Sequence, residues 1–289
     1  AYTGFVNGDT NGLVGSITTT GTAQGEKNAG TYTINGNALS GLGYKVVYTA
    51  GTLTVNKANL ILSGTRVYDA SQTFAGQYLT ATGVNGETFT VTGSGDATNL
   101  ANKNVQTAQA LSSVTGIALG SSSNGGLVDN YNALSTTASS VSVTAKAATV
   151  TGTATNVTYN GGTQTQQAVS ASGFIAGDAI TITGQASGKD AGSYASSLSV
   201  GGGDASNYNV TIDNASLVIA KAALVATGNS SSVTYNGSNQ SVAGFTLSGL
   251  QGSDTVSNLS SIVASGATGK NAGSYTNTVT AGTETNYIV

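Results

Sequence analysis

The chain has 289 residues, 38% of them hydrophobic and only 7% charged, with a formal net charge of −3 and no Pro. Nine Lys and Arg cannot build a phosphate-neutralising stripe, so nucleic acid is excluded as a partner. Cys, Met, Trp and His are all absent, which excludes disulfides, thiolate zinc centres and haem ligation.

Disordered chains combine low hydrophobicity with high charge or abundant Pro; neither holds here, so a folded chain is expected. No apolar run approaches the ~20 residues of a membrane helix, and no membrane insertion is expected. The readily oxidised sulfur side chains are missing, as suits a protein that persists outside the cell. With no initiator Met and no signal pattern, the chain reads as a piece of something longer.

Four repeats follow one another. The first, 1–58, carries Gly4-Phe5-Val6-Asn7-Gly8-Asp9, then Glu26-Lys27-Asn28-Ala29-Gly30-Thr31-Tyr32, then Gly43-Tyr44-Lys45-Val46, and closes on Leu53-Thr54-Val55-Asn56-Lys57-Ala58. It lacks opening strands. The second, 59–147, opens with Leu60-Ile61-Leu62-Ser63-Gly64 and a Tyr68-Asp69-Ala70 turn. It continues with Gly83-Val84-Asn85-Gly86-Glu87, a worn Asn102-Lys103-Asn104-Val105, Asn130-Tyr131 and a closing Val141-Ser142-Val143-Thr144-Ala145-Lys146-Ala147.

The third, 148–222, has the fullest set: Thr149-Val150-Thr151-Gly152, Tyr159-Asn160-Gly161, Gly173-Phe174-Ile175-Ala176-Gly177-Asp178, Gly188-Lys189-Asp190-Ala191-Gly192-Ser193-Tyr194, Asn207-Tyr208-Asn209-Val210 and Leu217-Val218-Ile219-Ala220-Lys221-Ala222. The fourth, 223–289, repeats Leu224 to Gly228, Tyr235-Asn236-Gly237, Gly249-Leu250-Gln251-Gly252-Ser253-Asp254, Gly269-Lys270-Asn271-Ala272-Gly273-Ser274-Tyr275 and Asn286-Tyr287-Ile288-Val289, and stops before a closing strand. Lys27, Lys103, Lys189 and Lys270 lie 76, 86 and 81 residues apart, a period that means an array.

Alternation of apolar residues with Thr, Val and Tyr predicts strands. No stretch holds a 3.6-residue apolar period over ten residues, so no helix is expected. The Asn160-Gly161 and Asn236-Gly237 pairs of the Tyr turns predict type I′ hairpin turns with both central residues at positive φ. The junctions carry no Gly/Ser-rich or charged linker, which predicts stiff connections. The fold expected is all-β: small Ig-like sandwiches of about six to eight strands, stacked end to end as a rod on the order of 150 Å long.

These motifs, in this order, resemble two repeat families of large bacterial secreted adhesins. Tyr68-Asp69-Ala70 after Gly64-Thr65-Arg66-Val67 is similar to the YDG domain. Repeats one, three and four, with Gly-Phe-x-x-Gly-Asp, Ala-Gly-Ser/Thr-Tyr and a Lys-Ala closing strand, are similar to MBG domains. Ala70 stands where the family usually has Gly. The resemblance implies a stalk on the outside of a Gram-negative cell, exported by two-partner secretion like filamentous-haemagglutinin-type exoproteins. The partners implied are neighbouring repeats of a longer chain. The family pattern has no catalytic residue.

The residues themselves agree with a non-enzyme. A nucleophilic triad needs a base, normally His, and there is none. The acids recur at turn positions, once or twice per repeat, rather than as one unique pair facing a cleft. Calcium takes oxygen ligands alone, and Asp178 and Asp204 in Gly turns are the candidates, although three or more acids usually cluster at such a site. No other cofactor is expected. Lys27, Lys189 and Lys270, each followed by Asn or Asp, invite an isopeptide bond, but sequence neighbours on a strand face opposite ways, so solvated turn lysines are expected. Asn-x-Ser/Thr sequons such as Asn156-Val157-Thr158 arise by chance in so Ser/Thr-rich a chain.

Ten tyrosines sit at repeat positions: Tyr32, Tyr44, Tyr68, Tyr131, Tyr159, Tyr194, Tyr208, Tyr235, Tyr275 and Tyr287. With no Trp and few Phe, they are expected to form the core of each repeat. The alternative is an aromatic surface for polysaccharide, which an exposed Tyr208 or Tyr287 would favour. The functions weighed are a structural stalk of an adhesin or biofilm-matrix fibre, a polysaccharide-binding module, and filament assembly by strand addition at unpaired edges.

Overall fold

The computed structural model describes residues 3–10, 18–37 and 43–289. The remaining segments of the first repeat, 1–2, 11–17 and 38–42, lie outside the described residues. The chain divides into two compact units, Ala1–Ala145 and Lys146–Val289. Both are all-β, built from short strands and three-residue 3₁₀ turns.

In the first unit, Thr18–Thr20, Gly30–Asn37 and Gly51–Val55 form an antiparallel sheet in which Tyr32 stands opposite Leu53. The second repeat forms a six-stranded sheet in the order Gln106–Gln109, Ser139–Thr144, Ile61–Val67, Leu79–Thr82, Thr88–Thr92, Ala118–Ser122. Strand Ile61–Val67 alternates as the period-two pattern requires, with Leu62 and Arg66 buried and Ile61, Ser63, Thr65 and Val67 exposed. Leu62, Tyr68, Phe74, Phe89, Val141 and Val143 close the core. Each apolar side chain so buried stabilises the fold by about 1.5–3 kcal/mol.

The second unit builds its third repeat from smaller sheets. Lys146–Thr151 pairs with Ser170–Ser172 on one side and Tyr208–Asp213 on the other. The chain then steps across at Gly152 to a second sheet, Thr155–Thr158, Ser216–Ala220 and Gly192–Ala195, with Ser216–Ala220 in the middle. Leu217 and Ile219 on that central strand are fully buried.

One feature recurs: the opening strand of a repeat runs parallel to a strand late in the same repeat. Ile61–Val67 pairs in parallel with Ser139–Thr144, Lys146–Thr151 with Tyr208–Asp213, and Ala222–Ala223 with Tyr287–Ile288. Parallel strands cannot be joined by a tight turn, and here the whole repeat is the crossover. A chain whose last strand parallels its first enters at one end of the repeat and leaves at the other. That geometry suits a tandem array, whereas antiparallel terminal strands would return the chain to its starting end.

The Asn-Gly turns differ from expectation. Gly161 and Gly237 hold φ of +79° and +78°, but Asn160 and Asn236 are not at positive φ, so neither turn is type I′. The Asn160 and Asn236 side chains instead accept the N–H two residues on, from Gly162 and Ser238. Beyond the turn Gln164–Thr165 pairs with Ser187–Gly188, not with Thr155–Thr158. The chain crosses between layers there instead of folding back on itself.

Candidate functional site

The repeated motifs converge on one constellation, built four times. Its centre is the tyrosine that ends the Asn-Tyr or Gly-Tyr pair. In repeats two and three a 3₁₀ turn, Val128–Asn130 or Ala205–Asn207, delivers it. Its hydroxyl donates to the acid of the Gly-loop-Gly-acid element: Tyr44 to Asp9 at 2.7 Å, Tyr131 to Glu87 at 2.6 Å, Tyr208 to Asp178 at 2.5 Å and Tyr287 to Asp254 at 2.6 Å. The same hydroxyl accepts a loop N–H, from Val6, Val84, Ile175 and Gln251 respectively. The recurring acids are therefore latch residues.

Each latch ring also meets a second aromatic. Phe5 meets Tyr44, Phe89 meets Tyr131 and Phe174 meets Tyr208, with centroids 5.9, 5.1 and 4.9 Å apart. Repeat four has Leu250 where repeats one and three have Phe. There Tyr159, from the turn of repeat three, supplies the ring at 5.5 Å from Tyr287. The Tyr159 hydroxyl donates to Asp254 at 2.8 Å, so one carboxylate of repeat four accepts hydrogen bonds from two repeats.

These contacts perturb the titration of the groups involved. Burial first, then the bond to Asp254, pushes Tyr159 up to about 12. Tyr287 and Tyr131 are raised, again mainly by burial and then by their carboxylate partners. Asp254 is held below the ordinary carboxylate value, with the Tyr287 hydroxyl as the largest cause and the Tyr159 hydroxyl and Lys189 adding to it.

The Lys-Asn-Ala-Gly-Ser-Tyr motif is the second half of the junction. Its tyrosine folds back on the turn: Tyr32, Tyr194 and Tyr275 donate to the backbone carbonyls of Asn28, Asp190 and Asn271. The rings of Tyr194 and Tyr275 lie over Gly188 and Gly269, where a Cβ would come within 2.3 and 2.0 Å of ring carbons. That contact explains the Gly before Lys in both copies.

The turn is then clasped by the asparagine of the following repeat. Ala29 N–H donates to Asn130 Oδ1 at 2.8 Å, and Asn130 Nδ2 donates to Asn28 Oδ1 at 3.1 Å. In the other unit Ala191 N–H donates to Asn286 Oδ1 at 2.8 Å, and Asn286 Nδ2 donates to Asp190 Oδ1 at 3.0 Å. The backbone joins in, with Ala58 N–H bonded to the Asn130 carbonyl and Ala222 N–H to the Asn286 carbonyl, each at 2.9 Å. Beneath the second clasp one apolar cluster runs through both repeats: Tyr159, Leu217, Ile219 and Ala222 from repeat three, and Leu224, Ile262 and Tyr287 from repeat four.

The tyrosines thus fall into groups that sequence position alone did not separate. Tyr68, Tyr131, Tyr159, Tyr208 and Tyr287 are buried. Tyr32, Tyr44 and Tyr194 are half-buried at the motif turns and the first latch. Tyr235 and Tyr275 are 62% and 50% exposed, against the expected core position. Tyr159, the counterpart of Tyr235, is covered by Leu217, Ile219 and the following repeat.

Lys27, Lys189 and Lys270 are exposed on their turns. Asp204, the other calcium candidate beside Asp178, accepts the Ala179 N–H at 2.9 Å. Among the described residues no three acids gather into a cation cage.

Two features escaped the sequence reading. Asn99 is fully buried; its Oδ1 accepts N–H groups from Phe74 and Asp96, and its Nδ2 donates to the Ser113 and Thr115 carbonyls. Nothing in its sequence neighbourhood marks it, since its partners lie up to 25 residues away. Arg66 is also buried, donating to Asp69 at 2.5 Å and to the Ser71 carbonyl at 2.6 Å. This grip holds the Tyr68-Asp69-Ala70 turn, with Ala70 at φ +62° where a glycine would sit without strain.

The fold is all-β, and within each unit the recurrent residues bond distant segments of the chain to one another. Residues 1–54 match the family model of the MBG domain, YGX type, which supports repeats of the MBG/YDG kind. That domain is a non-enzymatic repeat module typical of surface adhesin-like proteins, and no catalytic family is indicated. No curated protein and no solved structure matches the chain.

Proposed function

We propose that the chain is a stretch of structural stalk from an extracellular bacterial adhesin or matrix fibre, with its repeats stacked end to end as a stiff spacer. The observation that carries this reading is the junction. Asp254 is held by Tyr159 and Tyr287 from adjacent repeats, Asn286 clasps Asp190 and Ala191, and the apolar cluster is continuous through both. A flexible linker has none of these bonds, and a fixed junction is what a spacer under load requires. The parallel pairing of first and last strands, which carries the chain straight through a repeat, supports the same reading. Its extracellular setting rests on the MBG match and on the lack of Cys and Met.

Small-angle scattering of the full chain tests the spacer. A maximum dimension on the order of 150 Å is expected from four units of roughly 30–40 Å. A compact profile overturns it. Immunolabelling of intact cells of the source organism checks the location.

A second reading, in which the repeats bind polysaccharide, draws on the exposed Tyr235 and Tyr275. Against it, Tyr208 and Tyr287 are buried with their hydroxyls already bonded. A glycan array on the same protein separates the two: reproducible micromolar binding favours the module, and its absence the spacer.

A further inference from the structure

The contact at Asp254 brings together two tyrosines, where the other three latches pair a tyrosine with a phenylalanine. Tyr159 and Tyr287 are 2% and 4% exposed, their ring centroids lie 5.5 Å apart and their planes cross at 81°. Packing alone accounts for an edge-to-face pair. It does not account for both hydroxyls donating to the same atom, Asp254 Oδ2, at 2.8 and 2.6 Å. Two phenols held on one oxygen converge at their hydroxyl ends. The ortho carbons flank the carbon that carries the hydroxyl, so the ortho positions of the two rings are drawn towards one another.

Ortho carbons are where tyrosine radicals couple. With Cys, Met, Trp and His absent, oxidising equivalents that other proteins lose to sulfur, indole or imidazole settle here on the 13 tyrosines. Both phenols of the pair are protonated at neutral pH, Tyr159 with its value pushed up to about 12 by burial and by Asp254. Losing an electron therefore means losing a proton as well. A phenol radical cation is a far stronger acid than a carboxylic acid, and Asp254 already accepts the hydrogen bond along which the proton leaves. Asp254 opens in turn on a cleft of about 300 Å³ that Asn258, Glu284 and Asn286 also line. That volume holds several waters to carry the proton away, and it admits a small oxidant. Burial of the rings themselves keeps a radical on one of them from meeting the tyrosines of another molecule.

We propose that Tyr159 and Tyr287 are a cross-linking site, joined by a carbon–carbon bond between their ortho positions when the chain meets a small one-electron oxidant of the kind peroxidases release as they consume hydrogen peroxide. Each tyrosine gives up one electron to the oxidant and its hydroxyl proton to Asp254, which passes it to water. The two phenoxyl radicals pair their odd electrons in the new bond. The hydrogen on each coupled carbon then moves to the neighbouring oxygen, which restores both rings and both hydroxyls. The two electrons and two protons reduce one peroxide to two waters. The 81° crossing is no obstacle, because the rings of an ortho-coupled biaryl twist out of a common plane. The product staples repeat three to repeat four. The inference goes beyond the stalk reading and does not rest on it, since it needs only the Tyr159–Asp254–Tyr287 contact.

The test oxidises the full 289-residue protein, dilute and monomeric, with photo-excited ruthenium tris-bipyridyl and persulfate, and weighs its tryptic peptides. The expected product joins 147–189, which carries Tyr159, to 271–289, which carries Tyr287. It is lighter than the two peptides together by two hydrogens, and fragmentation places the bond at Tyr159 and Tyr287. Tyr159→Phe and Tyr287→Phe keep the packed ring and are each expected to abolish the product, while Tyr235→Phe, at an exposed ring, leaves its yield unchanged. Asp254→Asn retains an acceptor but cannot take the proton, and is expected to lower the yield at least about tenfold. Four results overturn the proposal: no such peptide pair at oxidant levels that consume Tyr235 and Tyr275, a bond at Tyr275 in place of Tyr287, equal yield from urea-unfolded protein, or unchanged yield in Asp254→Asn.

Discussion

Asp254 is the residue on which the contact between repeats three and four turns, and its removal gives the sharpest expectation. Asp254→Ala deletes an acceptor used by Tyr159 at 2.8 Å and by Tyr287 at 2.6 Å. A hydrogen bond to a charged group contributes about 1.5–3 kcal/mol. Tyr287 keeps the N–H that Gln251 donates to its oxygen, but the Tyr159 hydroxyl, on a side chain 2% exposed, is left without its acceptor. Asp254 itself is half-buried, which reduces the charged share of the loss through solvent screening. The expected cost is about 2–4 kcal/mol, and Asp254→Asn, which keeps one carbonyl oxygen, should cost about half. Native-state hydrogen exchange at Ala222 and Leu224, whose N–H groups bond to the Asn286 and Ile288 carbonyls, reads this locally without assuming that the whole chain unfolds in one step. Combining Asp254→Ala with Tyr159→Phe should show a coupling of at least about 1 kcal/mol. A local loss under about 0.5 kcal/mol, or strict additivity in the cycle, would refute the shared-carboxylate account.

Asn286→Ala removes both clasp bonds to Asp190 and Ala191 and should lower protection of the Ala191 amide by about 1–2 kcal/mol, with repeat-internal amides such as that of Tyr159 changed much less. Asn99→Ala removes four hydrogen bonds around a fully buried side chain, that of the buried Phe74 N–H among them, and should destabilise the second repeat by about 3 kcal/mol in chemical denaturation. Ala70→Gly relieves a left-handed alanine at φ +62° and should raise the melting temperature slightly, by the equivalent of about 0.5–1 kcal/mol after the entropy of the added glycine is counted. Alkaline unfolding carries a defined sign. Tyr159 is raised in the folded state to about 12, so its contribution is complete below the unfolded value of about 10 and is lost as pH rises from there through about 12; Tyr159→Phe should flatten that limb. On the acid side Asp254 is depressed, so its contribution is complete above about pH 4 and is lost as pH falls through its folded value.

The sequence by itself determined the all-β class and marked the places that matter. Alternation of Val, Ile and Thr predicts strands such as Ile61–Val67 and Ser139–Thr144, because a period of two needs only local geometry to place side chains on one face. Repetition marked Tyr131, Tyr208, Tyr287, Asp178, Lys189 and Asn286 as positions with a job. It did not say what the job was. The latch pairs Tyr287 with an acid 33 residues earlier, and the clasp pairs Asn286 with a turn 95 residues earlier; no local pattern encodes such separations. For the same reason the burial of Tyr159, 2% exposed, is not legible locally, since the strand Ser216–Ala220 that covers it lies far along the chain. The Asn160-Gly161 turn misled in the same direction: the dipeptide sets what the backbone can adopt, but the pairing of Gln164–Thr165 with Ser187–Gly188 decided that the chain crosses layers. What only the tertiary structure decided is that the repeated polar residues bond across repeat boundaries, because a hydrogen bond between distant segments exists only once both backbones are fixed in space.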